Sequence, residues 1–130
     1  MIVLDASVLG HAVASDETAG IRARERLRGE SLMAPELVFV EVISLVRKAL
    51  ARRRISPSRA AAAMNGLVTL EIETVGHRRH TARVWELREN VSPYDAAYVA
   101  VAEDHGLLLL TADKRLSRAS GPRCPIELIG

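Results

Sequence analysis

"YDAAYVAVAEDHGLLLLTAD", residues 94–113, joins a helix-forming stretch to an unbroken apolar run. Ser92 and Pro93 stand just ahead of it, as a helix N-cap and first helical residue would, and Gly106 supplies a stop. The spacing predicts a buried helix over Ser92–His105 and a buried strand over Leu107–Leu110. A carboxylate lies near each end, Asp95 and Asp113. Charge placed in such apolar company must be capped, neutralised by a proton or met by a cation.

Working outward, the same alternation recurs along the chain. Ile2–Leu4 is a short apolar run ending at Asp5, and Ala6–Ala14 follows as a short helix. Thr18–Arg28 reads as a second helix stopped by Gly29, and Ser31–Ala34 as a strand. Pro35 is placed as the first residue of a long helix through "ELVFVEVISLVRKALARR", whose basic last turns suit the dipole. Ser56 and Pro57 open an alanine-rich helix, Leu70–Val75 alternates as an edge strand, and His77–Glu89 has a helical pattern. One or two helical turns over Asp113–Arg118 and a last strand at Ile126–Ile129 complete the chain. Continuous apolar strands alternating with helices predict an α/β fold: a central parallel β-sheet flanked by helices on both faces. At 130 residues, with neither repeat nor linker, the expectation is a single domain over 1–130.

A hydrophobic content of 48% with 26% charged residues is ordinary for a folded soluble chain. No apolar run approaches the roughly 18 residues of a membrane span. "MIVLDASVLGHAVAS" lacks the basic start of a secretory signal and is interrupted by Asp5, so a cytoplasmic location is expected. Cys124, the single cysteine, has no internal partner and reads as a packing residue. The net charge is only +2, but sixteen of the eighteen basic residues are arginine, the side chain best shaped for phosphate and carboxylate. Charge alone does not separate phosphate-binding clusters from solvated helix faces.

Four acids stand out. Asp5 directly follows the first buried strand and has little local structural work to do beyond a possible Asx-type turn. Asp113 lies just past the carboxyl end of the leucine run, where open parallel sheets bind ligands, yet it also suits a helix N-cap. Asp95 fits the third position of a capping box with Ser92, and also shares a helical face with Tyr98, Val99 and Ala102. Glu41 has Leu37, Val38, Ser44 and Leu45 as helical neighbours, but Lys48 and Arg52 continue its stripe, leaving it between a surface acid and a buried one. Asp16, Glu17, Glu25, Glu86 and Glu89 fall in polar surroundings and are expected at the surface. If the four converge, their mutual repulsion demands protons or a cation, and oxygen-only ligands select Mg²⁺ or Mn²⁺ over zinc. Such an ion supports phosphodiester hydrolysis by metal-activated water.

Taken together, "MIVLDASVL", "PELVFVEVISLVRKAL" and "SPYDAAYVAVAEDHGLLLLTADKRL" resemble the PIN-domain nucleases, specifically the VapC toxins of bacterial toxin–antitoxin pairs. The resemblance runs almost from end to end and implies a PIN-like three-layer sandwich. It further implies that Asp5, Glu41, Asp95 and Asp113 form an acidic quartet holding Mg²⁺ or Mn²⁺, with Asp5 and Asp95 foremost as direct ligands. Ser7 and Thr111 match polar positions that support such a site. Lys114, Arg115 and Leu116 follow Asp113 where some relatives carry a further acid, which leaves direct or water-mediated contact at Asp113 open. An RNA substrate, a homodimer and a cognate VapB-type antitoxin complete what the resemblance implies.

Other readings have weaker support. A phosphoryl-accepting receiver domain wants paired acids after the first strand, and Ala6 and Ser7 stand there instead. Neither G-x-G-x-x-G nor G-x-x-x-x-G-K occurs, against a nucleotide-binding module. A catalytically inactive PIN-like RNA-binding module is the remaining alternative, opposed by the complete set of acids and by only four aromatic residues for stacking bases. His77 and His80, three apart, are expected as a surface pair and not as metal ligands; His11 and His105 are expected to pack or to complement helix dipoles.

Overall fold

The computed structural model describes residues 1–130. Five strands, β1 (Ile2–Leu4), β2 (Leu32–Pro35), β3 (Glu73–Val75), β4 (Leu109–Thr111) and β5 (Ile126–Leu128), form one sheet of order β3-β2-β1-β4-β5. Every neighbouring pair is parallel, with Val3 opposite Met33 on one side and Leu109 on the other. The chain leaves β1 toward β2 and β3, then returns to place β4 on the opposite flank. Right-handed crossovers running in opposite directions put their helices on opposite faces of the sheet, giving the three layers expected.

The helices are α1 (Ala6–Ala14), α2 (Thr18–Leu27), α3 (Leu37–Ala51), α4 (Pro57–Thr69), α5 (Thr81–Glu86), α6 (Pro93–His105) and α7 (Lys114–Ser117). One cluster of 26 buried apolar residues joins the strands to α1, α3, α4 and α6. Helix α6 crosses β1, β2 and β4, and all residues from Ala96 to Ala102 are buried. That explains the small apolar residues of "AAYVAVA": a helix covered all round has no polar face. Helix α1 packs on α2, α3 and α4.

Several expectations are corrected, among them the edge strand, which spans only Glu73–Val75 and not Leu70–Val75. Pro35 does not begin α3; it ends β2 opposite Val75, and Glu36 donates its amide to Val75 before α3 starts at Leu37. Proline lacks the amide that an inner strand position would need, so it sits at the strand's last residue. Strand β4 begins at Leu109, not Leu107, because Gly106 takes the left-handed conformation (φ 63°) and Leu107 donates back to Ala102, closing α6 as a Schellman turn. The helical pattern over His77–Glu89 is broken into a 3₁₀ turn at Arg78–His80 and the short α5.

His80 is no surface residue. It is buried, its Nε2 lies 3.0 Å from Asp104 Oδ2 on α6, and Arg79 meets the same carboxylate at 2.8 Å. His77 is exposed, so the two histidines share no site. Cys124 is half-buried, and burial pushes its thiol up to about 11, as suits a packing residue. No helix is long and apolar enough to cross a membrane.

Candidate active site

Strands β1 and β4 lie side by side, and the chain departs from them in opposite directions, opening a crevice beyond their carboxyl ends. Asp5 follows β1 and Asp113 follows β4 by two residues. Helix α6 brings Asp95 in its first turn, and α3 brings Glu41 from its second. All four acids line one cleft of about 560 Å³, together with Ser7, Ser44, Tyr94, Tyr98 and a single cation, Lys48.

Asp5 is the most constrained. It caps α1, contrary to the expectation that it has little structural work: Oδ1 accepts from the Val8 amide (3.2 Å) and from Ser7 Oγ (2.5 Å). Its other oxygen accepts from the Thr111 hydroxyl. Only 4% of Asp5 is exposed, and burial raises its proton affinity against the lowering effect of Ser7, Thr111 and Val8. The two hydroxyl residues also stitch the elements together, since Ser7 Oγ accepts from the Ala112 amide and Thr111 Oγ1 from the Asp113 amide, each at 3.0 Å.

Glu41 and Asp95 are half-buried. Burial raises Glu41, the nearby Asp5 charge adds to that, and a 2.7 Å hydrogen bond from the Tyr98 hydroxyl to Oε1 works the other way. Asp95 is raised by burial first, then by Asp5, Asp113 and Glu41 in turn. Its amide donates to Ser92 Oγ (3.2 Å), so Ser92 caps the helix through the Asp95 backbone while the carboxylate lines the cleft. Asp113 caps α7 through the Arg115 amide (2.8 Å) while still facing the cleft. Each acid that sequence reading could assign to local capping does cap, or sits in a capped turn; the long-range charge coupling is what sets these four apart.

Tyr98 is the residue that reading along the chain left without a role, although its position three after Asp95 puts both on one face of α6. Lys48, which pointed to a solvent edge for Glu41, lines the cleft two helical turns along from it.

No three of the chain's Asp, Glu, His or Cys side chains already surround a common point at coordinating distance. The donor chemistry nonetheless fits a hard divalent cation. The set is all carboxylate, mutually repelling and partly desolvated, and an ion such as Mg²⁺ takes only one or two carboxylates while keeping several waters. Zinc, which favours nitrogen and sulfur, finds no histidine or cysteine in the lining.

A family model described as PIN domain matches residues 2–122. The chain is 36% identical to Ribonuclease VapC12 of Mycobacterium tuberculosis over 129 residues, 99% of each chain. It is 37% identical to Ribonuclease VapC9 of the same organism over 132 residues, 99% of this chain and 98% of the other. Among solved structures, M. tuberculosis VapC20, a toxin that cleaves the sarcin-ricin loop, superposes with a TM-score of 0.70 at 18% identity, covering 90% of this chain and 93% of that one. DNA-bound VapBC from Salmonella typhimurium gives 0.66 at 23% identity, over 98% of both chains. The chain belongs to the PIN-domain family, with VapC ribonucleases as full-length relatives.

Proposed function

Because the chain is a PIN domain of the VapC kind, we propose that it is an endoribonuclease toxin, cutting RNA phosphodiester bonds at the four-carboxylate crevice. The observation that carries this is the convergence of Asp5, Glu41, Asp95 and Asp113, brought by separate elements of the fold, on one cleft where like charges repel. Such an arrangement destabilises the empty protein and gains most from a cation, so its purpose is to hold one.

Asp5 and Asp95 would hold the ion, Mg²⁺ or Mn²⁺, with Glu41 and Asp113 lining the same cleft. Bound there, the cation lowers the pKa of a water and offsets charge developing on the phosphoryl oxygens. Ser7, Thr111 and the Val8 amide fix Asp5 in place before substrate arrives, so it needs no reorganisation during the reaction. Tyr98 does the same for Glu41. Glu41, oriented by Tyr98 and not assigned as a direct ligand, is placed to accept the proton of the attacking water. The water oxygen joins phosphorus, one P–O ester bond breaks, and the proton ends on the departing sugar oxygen.

A VapB-type antitoxin neutralises the toxin, the toxin acts as a homodimer in the cytoplasm, and residues 1–130 make a single PIN domain. The full-length likeness to VapC ribonucleases and the fold shared with the VapBC structure support the antitoxin, while the homodimer and the location rest on the family resemblance.

The test is cleavage of total RNA by the antitoxin-free protein with Mg²⁺, Mn²⁺ or EDTA, beside Asp95→Asn. Metal-dependent fragments absent from the variant lane are expected. Intact RNA in every lane, from protein shown to be folded, would point instead to an inactive RNA-binding module.

A further inference from the structure

A second groove adjoins the acidic cleft. It lies between α1, α3 and the start of α4, measures about 1110 Å³, and shares Ser7, Leu45 and Lys48 with the cleft. Its volume is at or above the upper end for small-molecule pockets, roughly 300–1,000 Å³, and it runs on from the crevice. Both features suit a polymer better than a metabolite.

The two regions are joined by one stripe of α3. Glu41, Ser44, Lys48 and Arg52 fall at helical spacing, so acid gives way to base along a single face over about 16 Å of helix at ~1.5 Å per residue. Arg54 and Arg59 extend the basic lining across the α3–α4 turn. Arg59 is engaged by Asp16 at 2.9 Å, whereas Lys48, Arg52 and Arg54 take part in none of the chain's ion pairs. Set against Asp16 and Glu17 of the same lining, these three exposed, unpaired cations leave the groove net positive, with Lys48 at its junction with the cleft. The turn that presents two of them is itself strained: Arg53 adopts φ 57°, a left-handed conformation usually left to glycine. Ser56 and Ser58 add hydroxyl groups to the same lining.

We propose that this groove is the track for the RNA backbone flanking the cleaved bond, with Lys48, Arg52 and Arg54 contacting successive phosphates. It rests on the reading of the crevice as an RNA-cutting site. Phosphates carry most of the affinity here because the lining offers no Phe, Tyr or Trp on which bases could stack, His11 being its single aromatic ring.

The test uses a fluorescein-labelled 12-nucleotide oligouridylate in EDTA, so that binding is read without cleavage, with anisotropy recorded from 50 to 300 mM salt. Arg52→Gln/Arg54→Gln is compared with Arg28→Gln/Arg78→Gln, which removes two likewise exposed, unpaired charges from elsewhere on the surface. The groove variant is expected to bind at least tenfold more weakly. Its slope of log K against log salt is expected to fall by about 1.4, at ~0.7 for each single-strand phosphate left without its cation. The control should bind like the unchanged protein. In Mg²⁺ the groove variant should show raised KM and unchanged kcat.

Wild-type affinity and slope in the groove variant would overturn the track, and would leave the groove to a protein partner. Equal losses in both variants would also overturn it, by showing that only bulk charge matters. Failure of the crevice reading is separable: a protein that binds RNA through the groove yet never cuts it retains the track and loses the nuclease.

Discussion

Tyr98 on α6 donates its hydroxyl to Glu41 Oε1 on α3 across 2.7 Å, joining two helices 57 residues apart in the chain. Tyr98 is 1% exposed, and the same bond that holds Glu41 also opposes the effect of burial on its proton affinity. One long-range side-chain bond therefore ties the two helices together at the site.

Removing only that hydroxyl in Tyr98→Phe leaves the half-buried Glu41 without its donor. Folding stability should fall by about 1 kcal/mol, the usual size for one hydrogen bond. Glu41, already raised by burial, should rise further, moving the acid limb of the cleavage pH profile upward. Thermal melts and a pH–rate series check both, and an unmoved acid limb would show that Tyr98 serves packing alone.

Neutralising Asp95 separates activity from stability. Its folded-state pKa is raised, chiefly by burial and then by three neighbouring acids. A raised carboxylate stabilises the fold while protonated, and that contribution is lost as pH climbs from the ordinary carboxylate range through the raised folded value. Asp95→Asn in EDTA should thus melt above the unchanged protein at pH 7, with the gap closing near pH 4, while cleavage is abolished in both Asp95→Asn and Asp5→Asn. Calorimetry that finds Asp95→Asn melting lower at pH 7 would contradict the repulsion.

Mg²⁺ should raise the melting temperature more at pH 7.5 than at pH 5, at matched ionic strength. Asp5, Glu41 and Asp95 all have raised proton affinity, so protons compete with the ion at the lower pH. A shift independent of pH would mean that the ion binds somewhere other than these carboxylates.

Thr111 is fully buried, donates to Asp5 and accepts from the Asp113 amide. Thr111→Val keeps the shape and strands both partners, so about 2 kcal/mol should be lost. Thr111→Ser should restore most of it. Urea unfolding of the pair decides whether the hydroxyl or the methyl group matters.

Gly20, in the first turn of α2, passes so close to the end of α1 that an added Cβ would lie 1.9 Å from the Ser15 carbonyl oxygen. Backbone cannot yield cheaply there, and Gly20→Ala should cost roughly 3 kcal/mol in chemical denaturation. Wild-type stability would show that α2 can shift freely against α1.

Much of the site could be read along the chain because strand ends and helix starts are local features. The apolar run Ile2–Leu4 ends at Asp5, and Ser92 with Pro93 starts α6 in a way that places Asp95 in its first turn. Glu41 stayed ambiguous because its helical neighbours are both apolar and basic, and only the hydrogen bond from Tyr98 on α6 shows which side the carboxylate takes.

The sequence alone determined the alternation of helix and strand, the caps at Ser56, Ser92 and Gly106, and the parallel class of the sheet, since each depends on residues within a turn or two. Tertiary structure decided the rest: that β4 returns beside β1, that Thr111 reaches Asp5, that His80 is buried against Asp104, and that Gly20 must lack a side chain. Those contacts join residues far apart in the chain, apart from Gly20 and its near neighbour Ser15. Their distances follow from strand order and helix docking, which no window of neighbouring residues contains.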